Sequence, residues 1–328
     1  MTLSEFLSQW HDTNPSVPVY TSGSTGKPKL IMADKARMAA SARMTCKALG
    51  LNPGDTALVC LPMDYIAGKM MVVRCDVCNL TMVYVPPSGH PLDSVDSHID
   101  FAAMVPMQVC NSLSDPTQHS RLRSIRNLLI GGGAIDSGTE AVLRTFPHAV
   151  WSSYGMTETL SHIALRRLDG SAYSEWYEPL PGISVSLDGG GCLVVDAPML
   201  SPRTLHTHDM AVVDTSTGIT RFRIIGRTDN VICSGGVKIQ MEDVEQALAP
   251  HLTKPFIITK RPSQKFGEEV VLLTEDADTD SVATLCRNVL PSFWVPKAIS
   301  HVARVPLTPT GKPARAEALR LAEQLSLH

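Results

Sequence analysis

Short apolar runs rich in valine, isoleucine and leucine alternate with helix-forming segments through the first half of this chain. Residues 34–49 are rich in alanine, methionine, arginine and lysine and end before Gly50, which is typical of a helix with a glycine after its last turn. A strand, a loop and a helix in regular alternation favour an α/β fold with a largely parallel sheet. The predicted strands are residues 56–60, one or two within 71–85, 101–105 and 128–130.

The alternation changes after about Pro179. Residues 183–225 contain short strand-like pieces around a glycine turn at 189–191, which predicts a β-rich subdomain. Beyond it a compact α+β pattern follows, with strands at 255–259 and 270–273 and helices at 241–248 and 281–290. About 100 residues are enough for a small second domain. We therefore predict a large N-terminal domain (1–226), a hinge (227–230) and a mobile C-terminal domain (231–328).

Composition excludes several classes of protein. The net charge is −3, with acidic and basic residues interspersed, so a nucleic acid is not an expected partner. The N-terminus has no signal-peptide pattern, and the longest apolar runs are interrupted before the roughly 18 residues of a membrane span. We expect a cytoplasmic protein without membrane insertion. Cys75 and Cys78 form a C-x-x-C without a second pair, in a run interpreted as a strand, so packing is favoured over zinc binding.

The stretch TSGSTGKPK at 21–29 offers hydroxyls and backbone N–H groups next to two lysines. It does not fit the usual nucleoside-triphosphate loop, because no glycine stands five positions before Gly26 and Pro28 replaces the hydroxyl after Lys27. A concave nest of amides can still wrap a phosphate, whereas the alternative is a flexible linker. The phosphate-binding candidates are Thr21, Ser22, Gly23, Ser24, Thr25, Gly26 and Lys29.

Other polar patches carry compatible chemistry. In SSYGMTETLSH (152–162) a ring, a glycine, a hydroxyl and a carboxylate could hold a base, a phosphate and Mg²⁺. Three glycines at 131–133 end a predicted buried strand, where a ligand can approach the backbone, although a triple glycine is more often a turn. An aspartate, an arginine and a lysine further along the chain are the remaining candidates for binding this ligand. The residues concerned are Gly131, Gly132, Gly133, Tyr154, Gly155, Thr157, Glu158, Asp209, Arg227 and Lys312.

Five segments in this order resemble the adenylate-forming superfamily of acyl-CoA synthetases, luciferases and adenylation domains. They are YTSGSTGKPK (20–29), SYGMTET (153–159), HD (208–209), GRTDNVICSGGVKI (226–239) and PLTPTGKPAR (306–315). Together they extend over nearly the whole chain.

The resemblance implies a role for each residue. The loop at 21–29 would hold the triphosphate of ATP, Tyr154 would stack on adenine beside the glycines at 131–133, and Thr157 would contact phosphate. Glu158 would bind Mg²⁺, and Asp209 with Arg227 would hold the ribose. Lys312 would bridge the acid carboxylate and the α-phosphate, where positioned cations offset the repulsion between two anions.

The resemblance also implies a second step, in which the acyl group passes to CoA after the small domain rotates about Asp229. Gly235, Gly236 and Lys238 would then meet the site, because glycines allow close approach of a pantetheine thiol. ATP, Mg²⁺ and CoA are the expected cofactors and co-substrates, and a homodimer is a possible assembly.

TETLSH and the run at 61–74 resemble o-succinylbenzoate–CoA ligases of menaquinone synthesis, particularly a short form. A dicarboxylate would need a cation for its second carboxylate, and Lys69 or Arg74 could supply it. Alternatively, Lys69 extends to the surface or pairs with an internal aspartate. Ser161 and His162 are the other expected contacts with the acid.

Two departures and two rival functions remain. Superfamily members usually carry a long segment before the phosphate loop, whereas 20 residues precede it here, and His208 replaces the usual glycine before the ribose aspartate. The first rival is a ligase for another acid or an enzyme that charges a carrier protein. The acceptor, free CoA or a phosphopantetheinyl protein, distinguishes them. A non-catalytic nucleotide-binding homologue is the second rival.

Overall fold

In the computed structural model, which describes residues 1–20, 30–308 and 311–325, the parallel strands meet in one sheet. Its strand order is β4-β3-β5-β6-β7-β8-β9. Strands β3 to β7 are parallel to one another, whereas β8 pairs antiparallel with β7, and β9 pairs antiparallel with β8. The strands are β3 (Thr56–Val59), β4 (Thr81–Tyr84), β5 (Phe101–Met104), β6 (Asn127–Ile130), β7 (Ala149–Gly155), β8 (His162–Arg167) and β9 (Glu178–Pro179).

The described helices of this part connect or flank these strands. They are α1 (Leu3–His11), α2 (Lys35–Ala48), α3 (Ile66–Val77), α4 (Pro106–Ser114), α5 (Pro116–Ser124) and α6 (Ser137–Leu143). Before α2 lies a two-stranded antiparallel hairpin of β1 (Ser16–Tyr20) and β2 (Leu30–Asp34). Asp34 caps α2 by accepting a hydrogen bond from the backbone N–H of Arg37, as an N-terminal cap does. The expected helix at 34–49 is thus confirmed.

A β-rich subdomain lies next along the chain. It is a four-stranded antiparallel sheet of β10 (Ser184–Leu187), β11 (Cys192–Asp196), β12 (Leu205–Asp214) and β13 (Arg221–Arg227). Its own core includes Leu193, Val195 and Phe222 and also takes in Ile163 from β8. This shared core attaches the subdomain to the main sheet.

The C-terminal part forms a separate α+β unit. Strands β14 (Val231–Ser234), β15 (Val237–Gln240), β16 (Phe256–Ser263), β17 (Gly267–Thr274) and β18 (Ala298–His301) make one sheet. Helices α7 (Met241–Leu248), α8 (Thr279–Val289) and α9 (Arg315–Gln324) pack on it, and two apolar clusters fill its faces. The fold is therefore α/β, with mainly parallel strands, a β-rich subdomain and a small α+β unit, as predicted. The boundaries at 226 and 231 stay predictions.

One interpretation is wrong. The run that contains Cys75 and Cys78 was interpreted as a strand, but its residues up to Val77 belong to α3. Of the one or two strands predicted within 71–85, one is confirmed, at Thr81–Tyr84. The helix is buried on nearly all sides, so its apolar residues show no amphipathic period that distinguishes it from a buried strand. Cys75 and Cys78 consequently lie at the end of a helix. Among the described residues, no helix is long and apolar enough to cross a membrane.

Candidate active site

Two neighbouring parallel strands end in glycine at the same edge of the main sheet. β6 leads into Gly131, where a Cβ atom would lie 2.4 Å from the Ser153 Oγ, and Gly132 has a φ of +86°. β7 ends at Gly155, where a Cβ atom would lie 2.4 Å from the Ser161 carbonyl oxygen and 2.5 Å from the His162 Cα. Glycine is required here because the chain folds back closely on itself. The carboxyl edge of such a sheet is where ligands bind.

A short 3₁₀ turn, Thr157–Thr159, follows Gly155. The buried Thr159 hydroxyl accepts a hydrogen bond from the Met156 N–H (3.0 Å) and lies 2.9 Å and 2.7 Å from the carbonyls of Met156 and Ser161. Leu160 closes the turn with a φ of +64°, which is unusual for a residue with a side chain. The turn leaves Glu158 exposed and Thr157 half-buried at the strand edge.

Asp209 is the centre of a polar cluster in the β-rich subdomain. It pairs with Arg227 across β12 and β13, and Arg227 Nη1 donates to Asp209 Oδ1 at 2.5 Å. The Tyr154 hydroxyl donates to the other carboxylate oxygen at 2.5 Å. Burial, and then the negative charge of Asp209, raise the pKa of Tyr154 well above its ordinary value. The structure thus brings together three residues that are distant in sequence.

The Tyr154 ring is held by aromatic neighbours. It meets Phe222 edge to face, with ring centroids 5.2 Å apart, and lies 6.0 Å from the Tyr177 ring. Edge-to-face pairs of this kind are favourable and fix ring orientation. Tyr154 is therefore a half-buried, oriented aromatic surface. It follows Ser153, whose Oγ would lie 2.4 Å from a Cβ atom at Gly131.

Lys312 comes to this cluster from the C-terminal unit. Burial lowers the pKa of the Lys312 ammonium, the positive charge of Arg227 lowers it further, and Asp209 opposes both. The turn before Lys312 lies against the N-terminal part, because a Cβ atom at Gly311 would be 3.5 Å from the Met107 Cβ of α4.

Arg227 also reaches Asp229, the predicted hinge residue. Its Nη2 donates to Asp229 Oδ2 at 3.0 Å, and His208 Nδ1 lies 3.0 Å from Asp229 Oδ1. His208, which departs from the superfamily pattern, therefore contacts the predicted hinge. Whether Asp229 acts as a hinge stays a prediction.

Three of the four residues expected to bind the acid lie together. Arg74, fully buried on α3, donates from Nη2 to the Ser161 Oγ at 2.5 Å, and the Ser161 Oγ lies 3.4 Å from His162 Nδ1. Burial lowers the pKa of Arg74 to about 10, so it remains a cation at neutral pH. Burial, and then the charge of Arg74, lower the pKa of His162 well below its ordinary value, which keeps the ring neutral.

Lys69 points elsewhere. Its side chain is only 1% exposed, and its Nζ donates to the Pro18 carbonyl on β1 at 2.6 Å, about 5.8 Å from the centroid of the Phe6 ring. Burial lowers the pKa of this ammonium. Lys69 thus neither extends to the surface nor shares the hydrogen bonds of Arg74. Its predicted contact with the acid stays a prediction, and the structure gives it a contact with β1.

The predicted CoA-binding residues form a tight hairpin between β14 and β15. Gly235 and Gly236 have φ values of +58° and +84°, which suit glycine, and Lys238 is exposed on β15. The Gly235 N–H donates to the Phe266 carbonyl at 2.8 Å. The predicted phosphate loop at 21–29 lies outside the described residues, between the paired ends Tyr20 and Leu30 of the hairpin.

Sequence reasoning missed two contacts of the site. The Thr45 Oγ1 on α2 lies 3.2 Å from His162 Nε2, and Arg315, three residues after Lys312, forms a partly buried ion pair with Glu245. An isolated threonine in a helix carries no signal of such a role. Within the described residues, no group of three or more His, Cys, Asp or Glu side chains is arranged to hold a metal ion.

Comparison with known proteins gives consistent matches. The family described as AMP-binding enzyme matches residues 5–203. A 2-succinylbenzoate–CoA ligase of Listeria monocytogenes is 24% identical, with 94% of this chain and 70% of that protein covered.

Two solved structures extend the comparison. An acyl-CoA synthetase (AMP-forming)/AMP-acid ligase II-like protein of Dyadobacter fermentans is 35% identical, with 99% of this chain and 93% of that chain covered and a TM-score of 0.64. The o-succinylbenzoate CoA synthetase (MenE) of Bacillus subtilis, in complex with ATP and magnesium, is 22% identical, with 92% and 69% covered and a TM-score of 0.75. This second likeness concerns the fold alone.

Proposed function

The chain belongs to the AMP-binding enzyme family, and from that premise we propose that it converts 2-succinylbenzoate to 2-succinylbenzoyl-CoA in menaquinone biosynthesis. The family and the 35% identical acyl-CoA synthetase (AMP-forming)/AMP-acid ligase II-like protein support the enzyme class of an AMP-forming acid–thiol ligase. The acid, the CoA acceptor and the role of each residue belong to the proposal.

In the proposed first step, a carboxylate oxygen of the acid attacks the α-phosphorus of ATP. A new oxygen–phosphorus bond forms, the bond to the bridging oxygen breaks, and pyrophosphate leaves. Lys312 would offset the negative charge that gathers at the α-phosphate, because a preorganised cation in a water-poor site stabilises a transition state strongly. The observation that carries this proposal is the turn before Lys312, which lies against α4 of the N-terminal part, where a Cβ atom at Gly311 would be 3.5 Å from the Met107 Cβ. The charges of Arg227 and Asp209 acting on Lys312 support it.

The nucleotide would be held by the chain's own polar groups. Asp209 accepts one hydrogen bond on each oxygen from Tyr154 and Arg227, and each oxygen keeps a lone pair for a ribose hydroxyl. Mg²⁺ would supply charge neutralisation on the phosphates. The exposed carboxylate of Glu158 and the hydroxyl of Thr157 offer oxygen ligands of the kind that this ion prefers.

Arg74 is the better-supported partner for the second carboxylate of the acid. Among the described residues, Arg74 forms no ion pair with a carboxylate, and its Nε is buried without a hydrogen-bond partner. A buried cation without a counter-charge is costly, so an anionic substrate next to Ser161 would offset that cost. Lys69 is a weaker candidate for this carboxylate than Arg74, because its ammonium already donates to the Pro18 backbone carbonyl.

In the proposed second step, the CoA sulfur attacks the acyl carbon and AMP leaves. We propose that the small unit first rotates about Asp229, so that the hairpin at Gly235 and Gly236 replaces Lys312 at the site. The two glycines support this proposal because they leave room for a pantetheine arm.

The experiment that tests the function is pyrophosphate release from ATP across a panel of aryl and acyl acids, with and without CoA. We expect 2-succinylbenzoate to be the preferred acid and its thioester to form only when CoA is present. Rapid turnover of another acid with no reaction of 2-succinylbenzoate would contradict the assignment of the substrate. Absence of pyrophosphate release with every acid would contradict the assignment as an AMP-forming ligase.

A paired substitution tests the acid site. Arg74→Leu should lower kcat/KM for 2-succinylbenzoate by roughly tenfold or more relative to benzoate, as expected for a lost charged hydrogen bond. Lys69→Met, on the same helix, should affect the two acids equally. Equal effects of Arg74→Leu on both acids would remove Arg74 from the site of the second carboxylate.

A further inference from the structure

A partly buried ion pair lies three residues after Lys312 in the chain. Arg315 Nη1 and Nη2 donate to Glu245 Oε1 and Oε2 at 2.6 Å and 2.7 Å, and Nη1 also donates to the Ile258 carbonyl at 2.8 Å. The Arg315 and Glu245 side chains are 14% and 22% exposed. Two parallel hydrogen bonds of this kind fix direction as well as distance.

The pair connects three elements of the C-terminal unit. Arg315 is the first residue of α9, Glu245 lies on α7, and Glu245 Oε1 accepts a hydrogen bond from the Ile258 N–H of β16 at 2.8 Å. The residue before α9, Ala314, has no side chain that could cap the helix. The start of α9 is therefore fixed by the ion pair with Glu245 and by the Ala314 N–H, which donates to the Pro306 carbonyl at 3.0 Å.

The same segment controls the backbone of Lys312. The Thr308 N–H donates to the Lys312 carbonyl at 2.7 Å, and the Lys312 N–H donates to the Thr308 Oγ1 at 3.1 Å. At Gly311, a Cβ atom would lie 3.5 Å from the Met107 Cβ of α4, so the turn rests against the N-terminal domain. Lys312 thus stands between a turn on one side and the anchored start of α9 on the other.

We propose that Arg315 is a positioning residue that acts with Glu245 to hold Lys312 against the α-phosphate site during adenylation. The inference rests on the proposed function of Lys312 and extends it to two residues that do not touch substrate. A displacement of about 1 Å at a reacting group can cost on the order of 10²-fold in rate, so an anchor three residues away has a measurable effect.

The test compares two half-reactions in Arg315→Gln, with Arg320→Gln as the matched control. Arg320 lies on the same helix and forms an exposed pair with Glu317. We expect Arg315→Gln to lower the kcat of pyrophosphate formation by about tenfold or more, and to leave thioester formation from preformed acyl-adenylate and CoA within about twofold. Arg320→Gln should change neither.

A merely structural role would not produce this split between half-reactions. Equal loss of rate in pyrophosphate formation and thioester formation would contradict a positioning role. An unchanged rate of pyrophosphate formation in Arg315→Gln, together with a slow rate in Lys312→Ala, would also contradict it. If Arg315→Gln does not fold, the charge-free pair Glu245→Gln/Arg315→Gln should show the same selective loss, and equal losses there would overturn the proposal. Fast adenylation by Lys312→Ala would instead contradict the proposed function itself.

Discussion

Asp209 is the central residue of the proposed nucleotide site, because its carboxylate accepts hydrogen bonds from both Tyr154 and Arg227. Replacement by asparagine keeps the shape but exchanges one acceptor oxygen for an NH₂ group that cannot accept from either partner. We expect Asp209→Asn to raise the KM for ATP by roughly 10- to 100-fold, since hydrogen bonds to charged groups contribute about 1.5–3 kcal/mol.

Tyr154→Phe is the matched comparison for that measurement. It removes the hydroxyl that donates to Asp209 but keeps the ring against Phe222 and Tyr177. We expect a smaller rise in the KM for ATP than in Asp209→Asn. An unchanged KM in Asp209→Asn would place the ribose elsewhere.

The pH dependence of adenylation follows from Lys312. Only the protonated ammonium offsets phosphate charge, and burial together with Arg227 lowers its pKa below the ordinary 10.5. A lowered pKa means that the proton is lost at lower pH, so kcat/KM for pyrophosphate formation, which reports the pKa of the free enzyme, should fall on an alkaline limb centred below 10.5. In Lys312→Arg, which stays charged, that limb should disappear even if the rate is lower. A limb at or above the ordinary lysine value would contradict the burial of this ammonium.

At the scale of elements, the junction of β7 and β8 is the tightest part of the site. Gly155→Ala would force a Cβ atom against backbone atoms of Ser161 and His162, which cannot move aside as a side chain can. We expect a loss of about 1–3 kcal/mol in the free energy of unfolding, as in other overpacked sites, measured by urea denaturation.

Gly189→Ala is the control for Gly155→Ala. Nothing lies within 4 Å of a Cβ atom at Gly189, in the turn between β10 and β11. It should be neutral or stabilise by up to about 1 kcal/mol. Equal destabilisation by both substitutions would mean that the close approach at Gly155 is not the cause.

The elements that sequence reasoning predicted correctly have clear local signals. α2 has its cap at Asp34, and α7 (Met241–Leu248) has an amphipathic pattern. α3 was misjudged because a helix that is buried all round and rich in β-branched residues has the same composition as a buried strand. Short apolar runs such as β5 and β6 were still predicted as strands because they are only four residues long, whereas the twelve residues of α3 are long enough for either element.

At the scale of the whole molecule, the candidate site takes residues from the main sheet, the β-rich subdomain and the C-terminal unit. Tyr154 and Glu158 could be proposed from the sequence because they stand in one contiguous segment. Arg315 and Glu245 are 70 positions apart, and neither lies in a pattern that predicts their pairing. Such contacts depend on how α7, β16 and α9 pack, which no local pattern contains.

The central claim is that a lysine from the C-terminal unit completes an adenylation site on the N-terminal domain. The most direct test measures both half-reactions in Lys312→Ala. We expect pyrophosphate formation to fall by on the order of 10²-fold or more, as for a lost transition-state contact, and thioester formation from preformed 2-succinylbenzoyl-adenylate to stay within about threefold. Equal losses in the two half-reactions, or no loss in the first, would contradict the account.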